Sequence, residues 1–214
     1  MIYLCLLLSG AALLVNGLAL LGRISPRDSA VFSILIGSTQ LALGVTYAGL
    51  TTSLSPQLFL GASGMFLFGL TYVYCGLDIL LHLGTKGVGW FSGWVGGFGI
   101  FLAMSSLPGD PLLGVLWLSW AFLWILFFIR TALGRQGLTP FNGWSLVLTS
   151  QVTTTVPAFM GLIGYWPIEW EVAAGTAAVV SVLLVAAAYL GRVKGGGRPL
   201  PSAPSSRLPT PYNA

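Results

Sequence analysis

Charge is what this chain has least of. Only 7% of its 214 residues are charged: nine Lys or Arg and five Asp or Glu. A soluble domain carries about a quarter, so this chain lacks the polar surface to stay in water. It has one histidine, His82, which excludes a multi-histidine metal cluster. Its two cysteines, Cys5 and Cys75, lie in apolar runs without a C-x-x-C partner, which excludes a redox or metal motif of that kind. No Ser/His/Asp set can form at membrane depth when the sole histidine lies near the end of a run. No glycine run is followed by the Lys-Ser/Thr of a phosphate loop. These residues therefore predict neither an enzyme nor a cofactor. The opening MIYLCLLLSG has no basic residue before its apolar run. A cleaved signal peptide has a positive n-region, so this segment reads as a mature first helix.

What remains is apolar. The chain is 56% hydrophobic, with a mean hydropathy of +0.89. Seven stretches, at 2–22, 29–50, 58–82, 88–107, 112–133, 141–164 and 171–191, have lengths near the roughly 20 residues that cross a 30 Å hydrocarbon core. The breaks between them hold turn residues: GRISPRDS, TTSLSP, GTKGVG, PGDP, GRQGLTP and WPIEWE. The expected fold is an all-α integral membrane bundle of seven transmembrane helices. After Gly191 the sequence turns rich in Pro, Gly and Ser, and residues 192–214 are expected to be a disordered tail.

The few charges are ordered. Arg23 and Arg27 lie in the first break, Lys86 in the third, and Arg130 and Arg135 at the fifth. Arg192, Lys194, Arg198 and Arg207 follow the last stretch, while the even-numbered breaks hold Asp110, Glu169 and Glu171. Lys/Arg-rich loops are cytoplasmic. Seven crossings therefore place the N-terminus outside and the tail in the cytoplasm of a cell bounded by this inner membrane. The net charge of +4 suits anionic lipid headgroups rather than nucleic acid.

Polar groups at bilayer depth mark candidate function, because they cost free energy without a partner or a cavity. Asn16 lies in the first stretch, Ser38, Thr39 and Gln40 in the second, and Thr71 and Tyr72 in the third. The sixth is the most polar, with Thr149, Ser150, Gln151, Thr153, Thr154 and Thr155 ahead of Pro157. That proline cannot donate to the carbonyl of Thr153. Such groups serve either helix-to-helix bonding or a solute. Glycines in the third and fourth stretches (Gly61, Gly64, Gly93, Gly96, Gly97, Gly99) allow close packing or make room for a path. Trp117, Trp120 and Trp124 fall at i, i+3 and i+7, on one helical face; they form a packed seam or an aromatic slot for a small planar solute. Asp78, one turn before His82, is an end-of-helix carboxylate or a proton relay.

Several segments in order resemble the AmiS/UreI family of urea and short-chain-amide channels: MIYLCLLLSGAALLVNG, LLGRISPRDSAV, FGLTYVYCGLD, GVGWFSGWV, WLSWAFLWILFFIR and LTPFNGWSLVLTSQVTTTVPAF. They spread over about residues 1–165. The resemblance implies a six-helix channel core over 1–165, a ring-shaped homo-hexamer, and one solute path per protomer. It also implies pore-lining roles for Leu6 and Leu13, for the aromatics Phe68 and Tyr72, and for Trp120 and Trp124, with Trp117 a turn away. Residues 166–191 would be an additional transmembrane helix. Acid-gated members carry histidines in their outer loops and a glutamate in the sixth helix. Here those loops have no histidine, and Thr149 stands at the helix position. The expectation is a passive channel for urea or short aliphatic amides without an acid gate, selecting at an aromatic constriction closed in by Leu13. Asn16, Tyr72, Thr149, Gln151 and Thr153 would supply polar contacts to the solute. The alternatives are a proton-coupled transporter using Asp78, or a membrane accessory subunit that moves nothing itself.

Overall fold

The computed structural model describes residues 1–49 and 56–195. All regular structure among them is helical. The helices are α1 (Ile2–Leu20), α2 (Pro26–Gly49), α3 (Pro56–Leu81), α4 (Lys86–Ser106), α5 (Pro111–Thr131), α6 (Thr139–Ser150), α7 (Val156–Leu162) and α8 (Trp170–Gly195). A 3-10 turn, Gln136–Leu138, leads into α6, and a π-helical turn, Gln151–Thr155, joins α6 to α7. α1 to α5 and α8 are each long and apolar enough to cross a membrane. The run 139–162 is continuous through its π turn. At 1.5 Å rise per residue it is about 36 Å long.

Local chemistry sets the ends. α2 begins earlier than its apolar pattern, at Pro26, because the Ser25 side chain caps its first turn and is held by Asp28. The Asp28 backbone N–H donates to Ser25 Oγ (3.1 Å), and that hydroxyl donates to Asp28 Oδ2 (2.7 Å). Asp110 caps α5 by accepting from the Leu113 N–H at 2.9 Å, with Pro111 in the first turn. Its second oxygen accepts from Trp166 Nε1 at 2.8 Å, tying the start of α5 to the segment after α7. α3 ends in a left-handed residue, His82 (φ 55°), with the Leu83 N–H reaching back to the Asp78 carbonyl. Asp78 Oδ1 accepts from the Thr85 N–H at 3.0 Å and so closes the α3–α4 turn. α8 continues to Gly195, past residue 191 where the sequence pattern ends it. The remainder of the expected tail, and the TTSLS of the second break, lie outside the described residues.

α2 packs mainly on α3, α4 on α5, and α1 on α6, while α8 lies against α6 and α5. Backbones approach closely at these crossings. A Cβ on Gly10 would stand 2.6 Å from Thr154 Oγ1, and one on Gly37 would stand 2.6 Å from the Gly69 carbonyl. Of the fourth-helix glycines, Gly93, Gly96 and Gly99 face α5, whereas Gly97 has open space beside it. Polar side chains stitch the interior. Gln40 Nε2 donates to the Cys5 carbonyl and to Ser9 Oγ, both at 2.8 Å. Such bonds join helices where lipid offers no alternative partner.

Candidate solute pathway

Two cavities enter the bundle from opposite ends. One, of about 190 Å³, lies at the basic end; the start of α2 (Pro26, Ser29), the end of α1 (Asn16, Leu20) and the end of α5 (Arg130) border it. The other, of about 460 Å³, lies at the acidic end; Met1, Asp110 and Trp166 border it. α1, α3 and α5 each contribute to both, first half to the acidic end and second half to the basic end. Among the described residues Phe68 and Trp120 alone line both, so those two rings stand between the cavities.

The neck is an aromatic cluster. The Phe68 ring centroid lies 4.6 Å from that of Trp124, 5.1 Å from Trp120 in an edge-on arrangement, 6.0 Å from Tyr72 and 6.2 Å from Trp117. Trp117 and Trp120 are also edge-on, at 5.2 Å. These separations fall in the range of favourable ring pairs. α5 supplies the three tryptophans from one buried face, while Leu118 and Phe122 on its other side are exposed. The Trp120 indole Nε1 is buried and has no hydrogen-bond partner among the described residues. It is a donor in the wall shared by the two cavities.

The expected site residues divide. Leu13, Asn16, Phe68, Tyr72, Trp120 and Trp124 line the basic-end cavity. Leu6, Phe68, Trp117 and Trp120 line the acidic-end one. The polar residues of 139–162 chosen as solute contacts do not join them. Thr149 Oγ1 donates to the Ser145 carbonyl (2.7 Å) and Thr153 Oγ1 to the Thr149 carbonyl (2.9 Å); both are fully buried and border neither cavity. Gln151 is exposed and donates to Ser150 Oγ at 3.2 Å. The reason is geometric. Two residues along an α-helix is about 200° around it, so Thr149 and Gln151 cannot face one path together. The π turn sits just before Pro157, with the Val156 N–H bonded to the Gln151 carbonyl five residues back. The threonine hydroxyls are folded onto their own helix, a common use of Thr in a run without water.

Asn16 is held in place. Its Oδ1 accepts from the Ser29 hydroxyl and from the Ser33 hydroxyl at 3.1 Å. The Tyr72 hydroxyl makes only a long bond, 3.4 Å to the Ser9 carbonyl. Asp78 borders the basic-end cavity but is 5% exposed and is engaged by the α3–α4 turn. Asn142 is the lining residue that a scan for polar clusters passes over. It stands alone beside Gly143, close after Pro140, where Asn reads as turn chemistry. Helical spacing finds it: Asn142, Leu146, Thr149 and Thr153 share one buried face.

The model of the AmiS/UreI family of transporters matches residues 1–165. A relative from Rhodococcus erythropolis that carries the name of a transporter, AmiS2, is 39% identical over 208 residues, covering 96% of this chain and 95% of that protein. A Mycolicibacterium smegmatis protein named for transport of amidate substrates is 35% identical over 190 residues, covering 85% of this chain and 84% of its own. The crystal structure of the Helicobacter pylori urea channel is similar at a TM-score of 0.70 and 27% identity, with 78% of this chain matching all of that one. α8 starts beyond the family match, yet a match over 96% of this chain cannot leave it out of the AmiS2 likeness.

Proposed function

This chain belongs to the AmiS/UreI family of transporters, and from that premise we propose that it is a passive membrane channel for urea or short aliphatic amides. One observation carries the reading. Two cavities open from opposite ends of one protomer and are separated only where Phe68 and Trp120 line both. Solute would descend one cavity, pass flat between aromatic rings, and leave by the other. The aromatic wall shared by the two cavities, Phe68 and Trp120, carries no charge and favours a neutral planar solute, since pore radius and lining groups set selectivity. The names of the Mycolicibacterium smegmatis relative and of the Helicobacter pylori channel support amide and urea as the solute class.

Residues 1–165 form the channel core in this reading, with α8 added outside it. The chain crosses the membrane seven times, 139–162 included, with the N-terminus outside and the basic end in the cytoplasm. The protomers assemble as a homo-hexamer. The one histidine, His82, ends α3 at the basic end, away from the outer face, so no acid gate is expected. Stopped-flow light scattering on proteoliposomes of the purified chain tests this. Urea or acetamide should enter fast, and glycerol slowly, at both about pH 5 and about pH 7.5, the interval in which histidine titrates. Flux no faster than through empty liposomes overturns the channel. Flux that rises steeply at the lower pH overturns the ungated form.

A further inference from the structure

We propose that Asn142, together with Asn16, forms an amide-binding subsite where α1 crosses α6, on the basic-end side of the aromatic neck. The inference rests on reading the chain as a conduit for amides or urea.

Two Asn-Gly pairs meet at that crossing: Asn16-Gly17 on α1 and Asn142-Gly143 on α6. The glycines bring the backbones together. A Cβ on Gly17 would lie 2.9 Å from the Gly143 carbonyl, and one on Gly143 would lie 3.2 Å from the Gly17 carbonyl. Side chains on either glycine would force the helices apart, so the contact fixes the asparagine beside each. Both asparagines line the basic-end cavity.

Their hydrogen-bonding states differ. Asn16 Oδ1 is occupied by two serine hydroxyls, which leaves its amino group as the capacity it can offer. Asn142 is 0% exposed, and neither Nδ2 nor Oδ1 has a partner among the described residues. A buried carboxamide without partners costs free energy, and an apolar group of the same size would not. Gln40 Oε1 and Ser145 Oγ are also unpartnered, but neither residue borders either of the two cavities. Among the described residues, Asn142 alone combines an unpartnered donor, an unpartnered acceptor and a place in the cavity lining at the α1–α6 crossing.

A carboxamide is self-complementary. Its N–H donates to the carbonyl of another amide while its oxygen accepts from that amide's N–H. Asn142 can therefore hold the amide edge of acetamide or urea with two hydrogen bonds, and the Asn16 amino group can donate to the same solute carbonyl. Glycerol hydroxyls can also donate and accept, but glycerol lacks the planar amide edge that lies flat against the carboxamide. The subsite receives solute as it leaves the Trp120 indole N–H, so a donor lost at the neck is replaced beyond it.

The test uses the full chain, with acetamide as the probe and Asn142→Leu as the variant. Saturation-transfer NMR on purified protein reads binding, thermal melting reads packing, and proteoliposome light scattering reads flux. The expected result is about a tenfold weaker acetamide affinity, as for two lost hydrogen bonds, with a melting temperature unchanged or higher. Should Asn142→Leu fail to elute as wild type, Asn142→Ala is read in the same way. Unchanged affinity in a folded variant overturns the subsite. Weaker affinity together with a lower melting temperature also overturns it, because that assigns Asn142 to packing. Wild-type protein that binds acetamide through Asn142 but conducts nothing keeps the subsite and overturns the conduit. Conduction in wild type with both readouts unchanged in the variant does the reverse. Wild-type protein that binds no acetamide overturns the subsite, and its flux then judges the conduit alone.

Discussion

Phe68→Ala should turn a selective passage into a leaky one. Phe68 is one of two side chains bordering both cavities, and its ring touches four others, those of Tyr72, Trp117, Trp120 and Trp124. Truncation removes one of the two rings that stand between spaces of about 190 and 460 Å³ and leaves Trp120. A buried Phe→Ala change costs about 3–5 kcal/mol in a sealed core. Phe68 already faces open space on two sides, so the cost should fall at or below the lower end of about 3 kcal/mol. That loss is compatible with a folded bundle, and Phe68→Leu serves as a milder variant. The effect on transport is a lowered steric barrier for the bulkier solute. A barrier lowered by about 1.4 kcal/mol is tenfold in rate, so the glycerol-to-acetamide flux ratio should rise about tenfold. Stopped-flow shrinkage and swelling of proteoliposomes, normalised to inserted protein, gives that ratio directly. A ratio unchanged in well-assembled Phe68→Ala protein would refute the idea that these rings select.

Two further outcomes follow from the same geometry. Trp120→Phe keeps an aromatic ring and removes the unpartnered Nε1 donor; acetamide flux should fall about 2- to 12-fold, the worth of one net hydrogen bond, with melting unchanged, and equal flux would show that the indole N–H is a bystander. Asp78→Asn keeps an oxygen for the Thr85 N–H and removes the charge, so acetamide flux should stay within about twofold, under 0.5 kcal/mol of barrier; loss of uphill accumulation in this variant would instead favour proton coupling.

Much of this arrangement is legible in the sequence because lipid enforces simple rules. Helix positions follow from apolar run length, and the Trp117/Trp120/Trp124 face follows from helical spacing, since both depend on local order alone. Helix starts are less visible: α2 begins at Pro26 because Ser25 and Asp28 reach each other, a side-chain event that hydropathy does not register. The polar run of 139–162 misleads for a different reason. Hydroxyls signal polarity in the sequence, but whether they serve a solute or their own helix depends on rotamer and on which side the helix turns. Thr149 and Thr153 bond backward, and Gln151 faces out. Asn142, less conspicuous in composition, lines the cavity because Gly17 and Gly143 draw α1 and α6 together. That contact joins residues far apart in the chain.

The carboxylates of Asp78 and Asp110 accept backbone N–H groups at helix junctions, and that of Asp28 accepts the Ser25 hydroxyl at the start of α2. These three carboxylates thus shape the helix junctions. As the passive channel proposed above, the chain would equilibrate a nitrogen-containing nutrient across the envelope without draining the electrochemical gradient that drives ATP synthesis. Its copy number could then rise with demand for the solute at no bioenergetic penalty.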